Sequence, residues 1–395
     1  MNVLKLIGRE KELFSEDISK NNRELSNIIA NSSFLVLGAA GSIGQALAKN
    51  IFNRSPKKLH VVDISENNLV ELVRDIRSGA GYIIGEFKTF SLDIGSIEFD
   101  RYLDSDGPFD YVFNLSALKH VRSESNPFTL MRMINVNILN TIKTIDHAIA
   151  MGAKKYFSVS TDKAANPVNM MGASKRIMEM FLMQKSSNID LSTARFANVA
   201  FSDGSLLHGF TQRINKKQPL SAPSDVRRYF VTSKEAGELC LLSGLIGKNK
   251  EIFFPKLSPE LNLISFDQIA IEYLNRLGYE SVICETEDEA RDSFEVLCNE
   301  GKWPCYFFDS DTTGEKDFEE FFSEDEIIDL DRFVNIGIIK SGLEFEEKKL
   351  ETFLFEIEKM KKNQLWRKKE LVVLFNKIIP NFNHLETYKY LDDRM

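Results

Sequence analysis

A short apolar run, a glycine-rich loop and an amphipathic segment follow one another directly near the start of this chain. Residues 34–37 read Phe-Leu-Val-Leu, and Gly38, Gly41 and Gly44 come next. In a strand–loop–helix unit such glycines let the chain turn, let backbone N–H groups approach a pyrophosphate, and let the helix lie close to the strand. The Gly-x-x-Gly-x-x-Gly spacing differs from the Gly-x-Gly-x-x-Gly form but serves the same physics. It predicts a dinucleotide site, with a plain glycine-rich turn as the alternative.

An acidic residue ends the next apolar run. Asp63 follows residues 59–62 and lies nineteen positions after Gly44. A carboxylate there can accept hydrogen bonds from both hydroxyls of an adenosine ribose and repels a 2′-phosphate, so it favours NAD over NADP. Asp93 and Ile94, which follow the run at residues 90–92, are a candidate adenine contact, with an ordinary turn as the alternative for Asp93.

Further apolar runs at residues 111–115 and 156–159 alternate with helical segments. This rhythm is typical of a parallel sheet covered by helices on both faces. The predicted fold class is α/β, with a doubly wound parallel Rossmann sheet, a smaller C-terminal substrate domain and a helical tail.

Four regions are expected along the chain. Residues 1–33 form an N-terminal helical extension, residues 34–200 an NAD-binding Rossmann domain, residues 201–342 a mainly substrate-binding domain interleaved with the first, and residues 343–395 an amphipathic helical tail. Apolar residues of the tail recur at helical spacing and predict two helices, the second of which ends before Pro380. These residues are Leu350, Phe353, Leu354 and Ile357, then Leu371, Leu374, Phe375 and Ile378.

Charge and cysteine content exclude several classes of protein. The 395 residues carry 50 Lys and Arg against 58 Asp and Glu, a net charge of −8, which disfavours general nucleic-acid binding. The four cysteines show no zinc-type spacing, and no metal site is expected. No uncharged apolar run reaches the length needed to cross a bilayer, and no signal-peptide core is present. We therefore expect a cytoplasmic protein without membrane insertion.

A polar cluster follows the apolar run at residues 156–159. Thr161, Asp162 and Lys163 come directly after it, and Met171 and Lys175 follow. Because ligands bind beyond the carboxyl ends of strands in an open parallel sheet, this placement predicts a reactive site. The alternative is an Asp–Lys pair that only caps the next helix.

Several motifs together resemble the extended short-chain dehydrogenase/reductases, and within them the nucleotide-sugar 4,6-dehydratases of bacterial polysaccharide and nonulosonic-acid biosynthesis. The resemblance covers roughly residues 5–260. It implies NAD as cofactor, UDP- or GDP-N-acetylglucosamine as substrate, and a homo-oligomer. Residues 303–305 and 311–316 resemble a longer subgroup associated with these sugars. The motifs lie at residues 38–44, 116–121, 160–167, 171–175, 195–199 and 228–230.

One position departs from the superfamily pattern. The usual Tyr-x-x-x-Lys reads Met171-x-x-x-Lys175, and Met cannot ionise. A branch of dehydratases that act on N-acetylated sugars is similar in carrying Met here and is active. The resemblance implies that Lys175 holds the nicotinamide ribose and that Thr161 relays the proton of the sugar O4 hydroxyl in place of the absent phenol.

The implied reaction needs an acid and a base. Hydride leaves sugar C4 for NAD, the C5 proton is removed while the C6 hydroxyl departs as water, and hydride returns to C6. Lys163 is the predicted base and Asp162 the predicted acid. The product is a 4-keto-6-deoxy sugar nucleotide, without net redox change.

The resemblance also implies binding residues. Lys119 and His120 are expected to contact the substrate, with a structural histidine as the alternative for His120. Asn198 is expected at the diphosphate or hexose, and Arg228 at the diphosphate, a role suited to a planar guanidinium. The predicted cofactor contacts are Gly38, Ala40, Gly41, Ser42, Ile43, Gly44, Asp63, Asp93, Ile94, Leu115, Ser116, Ala117 and Lys175.

Two other functions remain open. A nucleotide-sugar epimerase inverts C4 or C5 without loss of water, and a non-catalytic NAD-binding protein is the third possibility. Asp162 and Lys163 favour the dehydratase, because a C4 epimerase needs no acid–base pair over C5 and C6. The sequence does not choose between UDP and GDP, between retention and inversion at C5, or between dimer, tetramer and hexamer.

Overall fold

The computed structural model describes residues 2–257, 263–311, 319–341, 344–379, 382–387 and 389. Its helices are α1 (Val3–Leu6), α2 (Ser15–Ala30), α3 (Ser42–Phe52), α4 (Glu66–Gly79), α5 (Ile97–Asp106), α6 (Pro127–Ile134), α7 (Asn140–Ala150), α8 (Met170–Lys185), α9 (Leu206–Asn215), α10 (Ser233–Ile246), α11 (Phe266–Leu277), α12 (Glu287–Asp292), α13 (Phe294–Asn299), α14 (Glu347–Lys362) and α15 (Lys368–Ile378). This numbering leaves out the 3-10 turns Val121–Glu124 and Asp162–Ala164 and the π-helical turn Asn135–Leu139.

The strands of the described residues form one large sheet and two small ones. They are β1 (Ser33–Leu37), β2 (Lys58–Asp63), β3 (Glu86–Ser91), β4 (Tyr111–Asn114), β5 (Lys155–Thr161), β6 (Asp190–Phe196), β7 (Asn198–Val199), β8 (Leu220–Pro223), β9 (Arg227–Val231), β10 (Glu251–Pro255), β11 (Leu263–Ser265), β12 (Glu280–Cys284), β13 (Lys302–Phe308), β14 (Ile327–Asp329) and β15 (Ile336–Ser341).

The large sheet has the order β14-β15-β10-β6-β5-β4-β1-β2-β3. Strands β1 to β6 and β10 pair in parallel, and helices cover both faces, so the predicted doubly wound α/β fold is confirmed. The strand order reverses between β1 and β4, which places a crevice at the carboxyl ends of these strands. The apolar runs predicted as the first five strands all lie in this sheet.

Strand β3 differs in its bounds from the apolar run at residues 90–92. It begins at Glu86, and within it only Phe87 and Phe90 are partly buried, while the other residues are exposed. Because β3 is an edge strand and is mostly exposed, four of its six residues are polar, and only its end stands out as apolar in the sequence.

The opposite edge of the large sheet comes from the second half of the chain. β10 pairs with β6 in parallel, β15 pairs with β10 in antiparallel fashion, and β14 pairs with β15. Residues within the expected substrate region at 201–342 therefore complete the first sheet. The small sheets β11-β9-β7 and β12-β13-β8 surround a separate core that includes Phe210, Tyr273 and Trp303.

The two predicted tail helices are present as α14 and α15. Their apolar residues, including Phe353 and Leu371, share a core with Met131 of α6 and Met171 and Phe181 of α8. Trp366 lies in the turn between the tail helices. Its indole N–H donates to the Pro127 carbonyl at 2.9 Å. The tail thus packs against α6 and α8.

Two expectations fall on residues outside the described ranges. Pro380 is one of them, and α15 ends at Ile378. The stretch at residues 311–316 lies outside as well, except for Asp311. Among the helices of the described residues, none combines the length and the apolar character needed to cross a membrane.

Candidate active site

The glycine-rich loop lies at the carboxyl end of β1. Gly38 has φ +70° and packs against the chain that follows β4, since a Cβ on it would lie 2.6 Å from the Ser116 amide nitrogen. A Cβ on Gly44 would overlap the Gly38 carbonyl oxygen, so this glycine lets α3 approach the loop. A Cβ on Gly41 would meet only the Gly38 oxygen at 3.7 Å. The N-terminus of α3 therefore opens onto free space.

Asp63 ends β2 beside this loop. One carboxylate oxygen accepts from the Ala40 amide at 2.9 Å, and the other accepts from the Ser65 amide at 2.9 Å. Each oxygen keeps a further lone pair for a hydroxyl group. The Ser42 hydroxyl at the start of α3 accepts from the Asp203 amide at 3.1 Å, which ties a loop of the second half of the chain to the glycine loop.

Asp93 lies farther along the same edge. Its carboxylate accepts from the Gly95 amide at 2.8 Å and from Arg132 at 3.3 Å, and Ile94 is buried. Asp93 also lines a pocket of about 250 Å³ that includes Asn140. Asp93 is thus a turn residue that also lines a pocket.

Three polar side chains form a hydrogen-bonded chain at the carboxyl end of β5. The Thr161 hydroxyl donates to Asp162 Oδ1 at 2.6 Å, and Lys163 Nζ lies 3.4 Å from Asp162 Oδ2. Asp162 is only 4% exposed, whereas the Lys163 side chain is 30% exposed. The Lys163 side chain is therefore partly open to solvent, whereas the Asp162 carboxyl group beside it is enclosed.

Lys175 and Met171 lie on α8 behind this chain. Lys175 Nζ donates to the carbonyl of Val159 at 3.0 Å, and burial lowers the pKa of Lys175 to about 7, with the charge of Glu179 opposing that shift. Met171 is buried in the core that α8 shares with the tail helices. Lys175 is thus placed at the end of β5, while Met171 serves packing.

The predicted substrate contacts come from separate elements. The Lys119 amino group donates to the Ser202 hydroxyl at 3.1 Å. The His120 ring lies close to Gly204, since a Cβ on this glycine would be 2.9 Å from His120 Nε2. Asn198 and Arg228 lie on the neighbouring strands β7 and β9 and meet at one carboxylate, that of Glu319. Lys119 and His120 therefore both contact the loop at residues 202–204. Asn198 and Arg228 both contact Glu319.

Asn137 links the loop after β4 to α8 through side-chain hydrogen bonds. It accepts from the Leu118 amide at 2.9 Å and donates to the Leu118 carbonyl at 3.0 Å and to the Ser174 hydroxyl at 2.9 Å. It lies in the π-helical turn, a form that recurs at functional sites. Asn135 and Asn137 stand two positions apart in the sequence, and the residues alone do not show which of them contacts the site.

A buried ion network fixes the back of the site. Arg195 is 0% exposed and pairs with Glu179 on α8 and with Glu326. Its guanidinium also donates to the carbonyl of Phe321 at 2.8 Å. Arg195 is visible in the sequence as part of a motif, but nothing near it in the chain indicates Glu326 as its partner.

A family described as polysaccharide biosynthesis protein matches residues 34–291, more than half of the chain. An uncharacterized membrane protein of Methanocaldococcus jannaschii is 30% identical over 325 residues, which cover 80% of this chain and 88% of that protein. The probable polysaccharide biosynthesis protein EpsC of Bacillus subtilis is 28% identical over 335 residues. This match covers 75% of the chain but only 54% of EpsC.

Two further relatives carry named activities. An inverting UDP-N-acetylglucosamine 4,6-dehydratase of Campylobacter jejuni is 28% identical over 237 residues, which cover 57% of this chain and 67% of that enzyme. A UDP-glucose 4-epimerase of Rickettsia prowazekii is 28% identical over 297 residues, which cover 67% of this chain and 81% of that enzyme.

Solved structures share the fold. Pen from Bacillus thuringiensis aligns with a TM-score of 0.63 and 26% identity over 81% of this chain and 90% of that one. DesIV, the dTDP-glucose 4,6-dehydratase of Streptomyces venezuelae with NAD and TYD bound, aligns with a TM-score of 0.55 and 16% identity. That alignment covers 73% of this chain and 88% of DesIV, and at this identity it shows the fold alone.

Proposed function

This chain belongs to the polysaccharide biosynthesis protein family. We propose that it catalyses the NAD-dependent 4,6-dehydration of a nucleotide-linked N-acetylhexosamine. The observation that carries the proposal is the hydrogen-bonded chain of Thr161, Asp162 and Lys163 at the carboxyl end of β5. Dehydration needs a proton donor and a proton acceptor side by side, and these residues supply both. The named activity of the Campylobacter jejuni relative supports the same chemistry.

The residues present fit NAD. The open loop at Gly41 and the N-terminus of α3 offer backbone N–H groups and a partial positive charge to a pyrophosphate. Asp63 has lone pairs for the adenosine ribose hydroxyls, and Lys175 would hold the nicotinamide ribose. When bound, NAD accepts a hydride from sugar C4 and supplies it again at C6.

Three side chains, those of Thr161, Asp162 and Lys163, carry out the proton transfers. Thr161 contacts the O4 hydroxyl and passes its proton on. Asp162 takes the O4 proton through the Thr161 hydroxyl and gives it to the departing C6 hydroxyl, which leaves as water. Lys163, whose side chain is partly exposed, removes the C5 proton and returns a proton to C5 when hydride reaches C6. Because Asp162 is buried and hydrogen-bonded on both oxygens, it is held in one orientation for this transfer.

Cofactor preference gives a first prediction. The Asp63 carboxylate repels a 2′-phosphate, so NAD should bind more tightly than NADP. Fluorescence titrations of the purified protein with both dinucleotides measure this preference directly. Equal or tighter binding of NADP would show that Asp63 does not contact the ribose.

A 4-epimerase is the second candidate, favoured by the named activity of the Rickettsia prowazekii relative. Incubation with UDP- and GDP-N-acetylglucosamine in deuterated water, followed by mass spectrometry, separates the two functions. A dehydratase gives a product that is lighter than the substrate by one water molecule, and this product carries solvent deuterium at C5. A C4 epimerase gives an isomer of unchanged mass, and that result would overturn the proposal.

A further inference from the structure

Glu319 enters the substrate region from a segment that the reaction described above does not use. Its carboxylate accepts hydrogen bonds from the Asn198 side chain and, at 3.1 Å, from the Tyr229 amide. The same carboxylate lies 3.7 Å from Arg228 Nε. Both residues predicted to bind the diphosphate or hexose therefore already contact one carboxylate of the protein.

The position of Glu319 is fixed by the buried network two residues farther along. Arg195 binds the Phe321 carbonyl and both oxygens of Glu326. The Phe321 ring stacks on Phe254 with 6.0 Å between centroids and 16° between planes. Because residues 321 and 326 are anchored in this way, the nearby Glu319 carboxylate has a fixed position beside Asn198 and Arg228.

Charged groups from several elements face Glu319. Burial and the negative charge of Asp162 raise the pKa of Glu319 to about 7, while Lys163 and Arg228 favour its ionised form. On its own segment, the neighbouring Glu320 carboxylate accepts a hydrogen bond from the Asn166 side chain at 3.1 Å. Glu319 thus shares one electrostatic environment with the reactive pair Asp162 and Lys163.

A diphosphate that reaches Arg228 must meet this carboxylate. A diphosphate there places further negative charge beside the carboxylates of Glu319 and Asp162, and the repulsion between buried like charges costs free energy unless a carboxyl group is neutralised. Protonation of Glu319 from solvent removes that cost and leaves Arg228 to the diphosphate.

We propose that Glu319 is a positioning residue of the sugar-nucleotide site, which holds Arg228 and Asn198 in the free protein and takes up one proton from solvent when a diphosphate binds. The inference rests on the proposed function, because it assumes a sugar-nucleotide diphosphate at Arg228. It adds a group and a proton to that site, and it makes substrate affinity depend on pH.

Calorimetry with an unreactive probe tests the proposal. UDP-hexanolamine and its GDP counterpart carry the nucleoside diphosphate but no hexose to react and no terminal phosphate that titrates near neutral pH. The NAD-loaded protein is titrated with each probe in buffers of different ionisation enthalpy, which gives the number of protons taken up. The wild type should take up a substantial fraction of a proton near pH 7, and its dissociation constant should rise by up to about tenfold per pH unit above that.

Glu319→Gln is the decisive variant, and Glu320→Gln is its matched control. The amide of the first variant can keep both contacts, because its oxygen still accepts from the Tyr229 amide and the Asn198 amide can turn to accept from its NH₂ group. We expect Glu319→Gln to take up no proton and to bind at least as tightly as the wild type at pH 8, with an affinity that no longer changes with pH. Glu320→Gln should behave like the wild type.

The possible failures are distinct. If the wild type binds a probe without proton uptake, or if Glu319→Gln binds more weakly at every pH, Glu319 is only structural and the inference is wrong. If the wild type binds neither probe, the proposed function fails together with the inference. Thermal unfolding of each variant shows whether it is folded before the comparison is made.

Discussion

At the scale of single residues, the turn after β5 holds the acid and the base of the proposed reaction next to each other. Lys163→Met should lower turnover about 10²- to 10⁴-fold, because it removes the group that takes the C5 proton. The first hydride transfer does not need this amine, so reduced-nicotinamide absorbance should appear when UDP-N-acetylglucosamine is added.

Met171→Leu is the contrasting variant. Met171 is buried in an apolar core, and a swap of similar volume usually costs less than about 1.5 kcal/mol. Its turnover should stay near that of the wild type. The assignment of the base would be wrong if Met171→Leu were as damaging as Lys163→Met, or if the Lys163 variant exchanged the C5 hydrogen with deuterated solvent at the wild-type rate.

Two adjacent arginines on β9 offer a second comparison. Arg228 is buried beside Glu319, whereas Arg227 is exposed. A charge-assisted hydrogen bond is worth about 1.5 to 3 kcal/mol, so Arg228→Ala should raise the KM for the sugar nucleotide roughly 10- to 150-fold and leave NAD binding unchanged. Arg227→Ala should change neither quantity. An unchanged KM in Arg228→Ala would remove this residue from the site.

At the scale of elements, the Arg195 network joins β6, α8 and the segment before β14. Although burial opposes ionisation, the hydrogen bonds and charge of Arg195 lower the pKa of Glu326 to about 2. A carboxyl group with a depressed pKa stabilises the fold at pH values above its unfolded pKa of about 4.3, and this contribution is lost as the pH falls toward the folded value.

Acid unfolding should therefore depend on Glu326. The free energy of unfolding, measured by urea titration, should fall between about pH 4.5 and pH 2, and part of this fall should be absent in Glu326→Gln. At pH 7 the variant should lose roughly 3 kcal/mol, because removing one partner leaves a buried charge poorly paired. Glu324→Gln, on an exposed side chain of the same segment, should follow the wild-type curve at every pH.

The same elements show how far the sequence reaches. The strands β1, β2, β4 and β5 are buried on both faces and are therefore visible as continuous apolar runs, and the carboxyl-end position of Thr161 to Lys163 follows from them. The segment at residues 319–326 mixes acidic and aromatic residues without a period of two or 3.6. Its place is decided by Arg195, which is distant in the chain, so no local pattern could indicate that Glu319 is buried in the site.

At the scale of the whole molecule, the helical tail is part of the core. Phe353 of α14 is 0% exposed and packs near Phe181 of α8, whereas Phe355 of the same helix is 62% exposed. Phe353→Ala should lower the free energy of unfolding by about 3 to 5 kcal/mol. Phe355→Ala should change it by less than about 0.5 kcal/mol. Equal losses in urea titrations of the two variants would show that the tail does not pack on α8 in solution.

The Arg195 network also limits how this chain can recombine with its relatives. Arg195 comes from the first half of the chain, whereas Phe321 and Glu326 come from the second. A chimera whose junction falls between them inherits Arg195 and Glu179 from one parent and the second carboxylate, at position 326, from the other. Unless the second parent supplies a carboxylate there, the buried guanidinium loses one of its two acidic partners, and the segment that carries Glu319 loses an anchor. Exchanging the second half of the chain to alter substrate choice therefore requires residues 195 and 326 to be transferred as a pair.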